Sequence, residues 1–240
     1  MRSIISVLTA TYNSEKVLEK LANSLINQSD KRFEWIVADG GSSDRTLEIL
    51  ERYKSLISVK IISKKDFGIY DALNNAIDAM SSEYYVVIGS DDYFYENAVS
   101  LFINKLDENP NFDIYTGMVT INGELKGVKR GSAHINKQFS YVSAHSDSTL
   151  YKKRLHEKFG LYSNKFPIAA DHFFILSAIY GDAKVFCFQD AIGCFSKDGV
   201  SSQDVLGSLT ESYRVQVHFC GKWISTVVFI LRLVKNFKRI

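Results

Sequence analysis

Four short apolar runs, separated by segments of helical periodicity, constrain the first hundred residues more than any other feature. The runs are Ile4–Leu8, "FEWIVAD" (Phe33–Asp39), "VKIIS" (Val59–Ser63) and the start of "YYVVIGSDD". Between them, Val17, Leu18, Leu21 and Leu25 recur at helical spacing. So do Leu47, Leu50 and Tyr53, and then Ile69, Leu73, Ala76, Ile77 and Met80. "YENAVSLFINKL" adds a further helix. Asn13 and Ser14 are suited to cap the first helix, and Ser43 or Asp44 the second. Such alternation predicts an α/β fold: a mostly parallel central sheet, helices on both faces, and right-handed crossovers.

In sheets of this kind ligands bind beyond the carboxyl ends of the strands. The polar residues fall there. Thr11, Tyr12 and Asn13 follow the first run, Asp39 ends the second, Asp66 follows the third, and Ser90, Asp91 and Asp92 follow the fourth. Carboxylates crowded at one sheet edge raise one another's pKa unless a cation sits among them. A hard divalent cation, Mg²⁺ or Mn²⁺, meets that need with one or two carboxylates and substrate phosphates. In an extended chain, neighbouring side chains such as Asp91 and Asp92 point to opposite faces. One acid can then take the metal and the other a ribose hydroxyl, so a metal-bridged diphosphate is the natural ligand. No GxGxxG follows the first strand and no Walker lysine is present, so the usual dinucleotide and P-loop sites are unsupported.

The pattern changes after Pro110. "DIYTGMVTINGELKGVKR" alternates on either side of Asn122-Gly123, a two-residue hairpin signal. "YKKRLHEKFG" and "AADHFFILSAIYG" predict helices stopped by Gly160 and Gly181, and "AKVFCFQDAIGCFS" one or two strands. This half is mixed α+β with no evident linker before it. The last segment, "KWISTVVFILRLVKNFKRI", is apolar from Trp223 to Val234 and then basic. It is shorter than the roughly 20 apolar residues of a membrane span. Two placements fit it: a helix in the membrane interface, drawn to anionic lipid, or a core helix with a solvated basic end.

Composition bounds the rest. A chain of 240 residues that is 46% hydrophobic and 23% charged is globular. A net charge of +2 gives no electrostatic case for nucleic acid. Cys187, Cys194 and Cys220 form no CxxC pair, which fits a reducing cytoplasm and argues against zinc. "MRSIISVLTATYN" turns polar too early for a signal peptide.

"SIISVLTATYN", "FEWIVADGGSSDRTLEIL", "KKDFGIYDALNNAI" and "YYVVIGSDDYF", in this order and spacing, resemble the nucleotide-binding half of the family-2 glycosyltransferases of the GT-A fold. "DGGSSDRT" and "DFGIYDALN" are similar to the subgroup that builds bacterial surface polysaccharides of the O-antigen, capsule and colanic-acid type. The resemblance implies one domain with a nucleotide-sugar-binding half (1–110), an acceptor and catalytic-base half (111–210) and a C-terminal amphipathic basic helix (211–240). It further implies a metal-dependent, inverting transfer from a nucleotide-diphosphate sugar, UDP-linked, to a saccharide acceptor. That acceptor is lipid-linked, at the cytoplasmic face of an inner membrane.

By the same resemblance Asp39 contacts the nucleotide base beside Thr11 and Tyr12, and Ser90-Asp91-Asp92 is the DxD-type motif. Asp92 takes Mn²⁺ or Mg²⁺, while Asp91 takes the ribose or supports the metal. Asp66, Gly68 and Asp71 lie near the donor, Asp171 is the general base, and His145 is on the acceptor side. Two departures stand out: Gly40 replaces a second acid, removing a base contact, and Ala170 replaces the acid before Asp171.

Simpler roles compete for some of these residues. Asp71 can serve only its helix N-terminus, Asp66 can be loop chemistry, and His172 can simply pack. Two adjacent acids at Asp91-Asp92 exceed what a helix cap needs. A nucleotidyltransferase would want a glycine-rich basic loop where "TATYNSEK" stands. A receiver-type Mg²⁺ module would place its acid pair after the first strand, not the fourth.

Overall fold

The computed structural model describes residues 3–143, 146–196 and 204–240. The strands of the first half follow the apolar runs: β1 (Ile5–Thr11), β2 (Phe33–Asp39), β3 (Val59–Ser63) and β4 (Tyr84–Val87). They alternate with α1 (Leu18–Ile26), α2 (Thr46–Tyr53) and α3 (Ile69–Ala79). These four strands run parallel in the order β3-β2-β1-β4. The chain thus steps outward from β1 on one side, then returns to its other side with β4. A crevice opens where the order reverses, at the carboxyl ends of β1 and β4.

The second half extends the same sheet. After β5 (Tyr93–Phe94) and α4 (Ala98–Glu108) come β6 (Ile114–Ile121), β7 (Glu124–Lys126), β8 (Thr149–Lys152) and β9 (Val185–Phe195). Strand β8 is antiparallel to both β4 and β6, and β9 is parallel to β6. The predicted hairpin joins β6 to β7, and Asn122 and Gly123 both take positive φ, 52° and 76°, as that turn requires. One expectation fails nearby. Tyr151 and Lys152 belong to β8 rather than to a helix, because they pair with Tyr85 and Tyr84 of β4. The helix there, α6 (Arg154–Phe159), begins later and stops at Gly160 as predicted.

Alternating strand residues feed two cores. On one face Ile5, Val7 and Trp35 pack with Leu21, Leu50 and Phe102 of α1, α2 and α4. On the other, Leu8, Ile36 and Tyr85 pack with Leu73 of α3 and with Leu155 of α6. Helix α7 (Ala170–Tyr180), which follows the short α5 (Ala133–Asn136), covers this second face through Phe174 and Ile175. The first-helix caps are not those predicted. Asn13 and Ser14 give α1 no side-chain cap. Asp44, by contrast, accepts from Thr46 N at 3.0 Å at the start of α2.

Two helices close the chain, α8 (Val205–Cys220) and α9 (Lys222–Asn236). Helix α9 rests on α8 through its more polar side, with Phe229 stacked on Tyr213 at 4.7 Å and Arg232 bonded to Gln216 at 2.8 Å. Its apolar side faces outward. Trp223, Val227, Ile230, Val234 and Phe237, each three or four residues apart, are 53–85% exposed. Of the two placements open from sequence, the core helix is therefore not the one observed. Among the described residues no helix is long and apolar enough to cross a membrane.

Candidate active site

The ends of β1, β2 and β3 are tied together by Asp39. Its carboxylate is 1% exposed and accepts from Thr11 Oγ1 at 3.0 Å, Gly41 N at 3.0 Å, Ser42 N at 2.9 Å and Ser63 Oγ at 3.0 Å. Burial alone would raise its pKa, but the hydrogen bonds, led by those from Ser42, hold it below the ordinary carboxylate value. Asn13 joins the same loops: its N–H donates to Ser42 Oγ at 2.8 Å and its Oδ1 accepts from Ser43 N at 2.9 Å. Tyr12 stands out at 68% exposure, an open ring face at the crevice rim.

Gly40 has a physical reason. A Cβ there would lie 2.8 Å from Asp66 Oδ2, closer than real Cβ contacts allow. The Asp66 carboxylate therefore fills the space that a side chain at position 40 would enter. Its Oδ1 also accepts from Gly68 N at 2.9 Å, which sets the turn into α3. Asp71, in the first turn of that helix, accepts from Phe67 N at 3.2 Å.

At the end of β4 the two acids converge rather than diverge. Asp92 N donates to Gly89 O at 3.3 Å, so Ser90 and Asp91 sit in a turn, not in an extended chain. Asp92 Oδ2 and Asp91 Oδ1 come within 2.5 and 3.0 Å of where a Gly89 Cβ would stand. Only glycine leaves both carboxylates that room. Asp92 is 1% exposed and its Oδ1 accepts from Ser196 N at 2.7 Å, while Asp91 is half-buried. Among the described residues no group of three or more His, Cys, Asp or Glu side chains could hold a metal by itself. Two converging carboxylates fit Mg²⁺ or Mn²⁺, which completes its shell with water and substrate phosphates.

These acids open into a cavity of about 420 Å³. Asp171, at the start of α7, lines it with Asp91 and Asp92. Of the residues predicted from sequence, these three are brought to one cavity. Thr11, Tyr12, Asn13, Asp39, Asp66, Gly68, Asp71 and Ser90 lie at the neighbouring strand ends and turns, outside its wall. His145 lies outside the described residues.

Sequence reasoning missed the group that orients Asp171. The Tyr70 O–H, on α3, lies 2.8 Å from Asp171 Oδ1 and 3.1 Å from Ile168 O. Burial, and then the Asp171 charge, push the Tyr70 pKa well above its ordinary value, so the hydroxyl stays a donor. Glu211 of α8 accepts from the N–H groups of Ile168 and Ala169, each at 2.9 Å, and so serves the amino end of α7. Behind the cavity His156 donates from Nδ1 to Gly160 O at 3.0 Å, so its Nε2 accepts from Tyr85 O–H at 2.6 Å. Burial pushes the His156 pKa down to about 4. Lys137, Gln138 and His172 also line the cavity. No motif marked them, since tertiary packing alone places them there.

Comparison with known proteins bears on the family and the fold. The profile of Glycosyl transferase family 2 matches residues 6–178. A 122-residue stretch, 49% of this chain, is 31% identical to the poly(ribitol-phosphate) beta-N-acetylglucosaminyltransferase TarS of Staphylococcus aureus, of which it spans 21%. The crystal structure of S. aureus TarS 1–349 with UDP superposes with a TM-score of 0.71 at 21% identity, over 98% of this chain and 72% of that one. The mannosyltransferase PcManGT of Pyrobaculum calidifontis, with GDP-Man and Mn²⁺, gives a TM-score of 0.68 at 15% identity, over 99% and 76%. These superpositions place the fold among the GT-A transferases.

Proposed function

The chain belongs to glycosyl transferase family 2, and on that premise we propose that it moves a sugar from a UDP-linked donor to a saccharide hydroxyl in the cavity between β4 and α7. The observation that carries this reading is the placing of Asp91 and Asp92 at the β1–β4 crevice, with Asp171 on another wall of the same cavity. Residues 1–110 form the donor half and 111–210 the acceptor half. In this reading the exposed Tyr12 ring stacks on the base, with Asp39 and Asp66 at the neighbouring strand ends.

Asp92, with Asp91 beside it, would hold Mn²⁺ or Mg²⁺. When bound, such an ion stabilises as a Lewis acid the negative charge that develops on the leaving diphosphate. The protein's own chemistry lies with Asp171, which takes the proton of the attacking hydroxyl. Tyr70 keeps that carboxylate in place through its 2.8 Å hydrogen bond. The base and the diphosphate acids stand on different walls, so attack and departure take opposite faces of the sugar and one displacement inverts the anomeric centre.

The acceptor we propose is lipid-linked, at the cytoplasmic face of an inner membrane. Support comes from α9, whose outward apolar stripe is flanked by the exposed Lys222, Lys235, Lys238 and Arg239. That combination suits the interface of an anionic bilayer.

A panel of nucleotide-sugar donors, scored for Mn²⁺-dependent diphosphate release with membrane extract as acceptor, tests the reading. Asp92→Asn is expected to lower kcat at least about 100-fold, the scale of losing a main stabiliser of transition-state charge. Metal-dependent turnover unchanged in that variant would overturn the assignment.

A further inference from the structure

The cavity is chemically lopsided. Acids mark the β4 end, whereas a different set of groups faces the turn Lys137–Ser140, the start of α7 and the α8 residues Ser208 and Ser212. Lys137 gives one N–H to Ser212 Oγ at 2.6 Å. An ammonium carries three such donors. His172, the neighbour of Asp171, is 1% exposed, and neither of its ring nitrogens has a hydrogen-bond partner. Gln138 Oε1 is likewise buried and unpartnered. A buried polar group left unsatisfied costs on the order of 1–3 kcal/mol, so two such groups in one cavity wall point to a ligand that completes them.

Two cations, Lys137 and Arg232, stand at this end against the carboxylates of Asp171 and Glu211. Arg232 gives its N–H groups to Gln216 Oε1 at 2.8 Å and Ile135 O at 2.6 Å. Burial and then the Arg232 charge push Lys137 down to about 8, so it is still mainly cationic at neutral pH. Burial, then Lys137 and Arg232, push His172 down to about 3, so it is a neutral ring with one N–H donor and one acceptor. Glu211 is engaged with the α7 backbone. Asp171 is the carboxylate that shares this end. An ammonium with spare donors, an imidazole N–H and a serine hydroxyl suit a tetrahedral oxyanion.

We propose that this end of the cavity is a subsite for a phosphate ester on the acceptor, held by Lys137 Nζ and the His172 N–H with Ser212 beside them. A phosphate seated there leaves the donor diphosphate to the Asp91-Asp92 end. The acceptor's neighbouring hydroxyl then meets Asp171. This deepens the transferase reading and rests on it: the acceptor is a phosphorylated saccharide rather than a neutral glycan.

The test uses the full chain loaded with UDP and Mg²⁺, so that the diphosphate place is filled, with ¹⁵N-labelled histidine rings. His172 signals are assigned by their loss in His172→Phe. Inorganic phosphate is expected to shift those signals saturably, and acetate not to. Lys137→Met is expected to weaken phosphate binding at least tenfold, while Lys137→Arg retains it and serves as the check on folding. The proposal falls if phosphate leaves the His172 signals unmoved, if acetate shifts them equally, or if Lys137→Met binds phosphate as wild type does. The titration is repeated without UDP. Failure of UDP to bind would therefore count against the donor reading alone.

Discussion

Replacing Tyr70 by Phe removes one hydroxyl from a wall of the cavity and little else. The ring keeps its packing on Tyr162, 5.3 Å between centroids. What is lost is the O–H that lies 2.8 Å from Asp171 Oδ1. A hydrogen bond to a charged group contributes about 1.5–3 kcal/mol, which is roughly 10–150-fold if it is all expressed in the transition state. The proposed base would keep its charge but lose the contact that aims it. Tyr70→Phe is therefore expected to lower kcat by about 10–100-fold. The donor KM should stay within about twofold, because the Tyr70 hydroxyl bonds to the base and to Ile168 O rather than to the acids at the β4 end. Initial rates of UDP release at saturating acceptor give both constants, and a thermal melt shows that the variant is folded. A folded variant with kcat within twofold of wild type would refute the orienting role. So would one whose loss lies wholly in donor KM.

Acid should destabilise the fold through two histidines. His156 and His172 are held down to about 4 and about 3 in the native state. The unfolded chain takes up protons near pH 6.5 that these native rings refuse, so stability is full above that pH and falls as the pH drops toward 4. Between pH 7 and pH 5 each contributes a loss of up to about 2 kcal/mol. Urea melts at the two pH values should show a smaller loss in His172→Phe. Equal slopes in wild type and variant would contradict it. On α9, replacing Trp223, Val227 and Val234 by Ser should remove about 3 kcal/mol of apolar insertion, roughly 100-fold in partitioning. Co-sedimentation with anionic vesicles measures this, and unchanged binding would sink the interfacial role.

The parallel half was legible because β1, β2 and the middle of β4 are buried and read as nearly continuous apolar runs, with the edge strand β3 marked by its place between two helical segments. The hairpin was legible because Asn122-Gly123 states its turn locally. Strand β8 was misread at its end because Tyr151 and Lys152 are recruited by pairing with distant β4 residues, which no local pattern announces. Asp91, Asp92 and Asp171 were reached through motif likeness, and the cavity does gather them. Their directions were not. Side chains of adjacent residues converge here because a turn at Ser90-Asp91 replaces the extended backbone assumed from sequence. Tyr70, Lys137 and His172 were invisible as a group, since α3, the 137–140 turn and α7 meet only in three dimensions. The last segment was legible as an apolar run with a basic end, but which of its residues would face outward was not.

Gly40 and Asp66 hold one carboxylate between two chain positions, with the Asp66 oxygen where a Cβ at 40 would intrude. The acid that appeared missing after β2 is delivered from beyond β3 instead. Substitution at either position is then conditional on the other: an aspartate at 40 should be tolerated only once Asp66 is shortened, and the double exchange should be milder than either single one. Scored position by position, Gly40 registers as a loss. Scored as a pair, it is a relocation, so the packing of this turn couples the two positions.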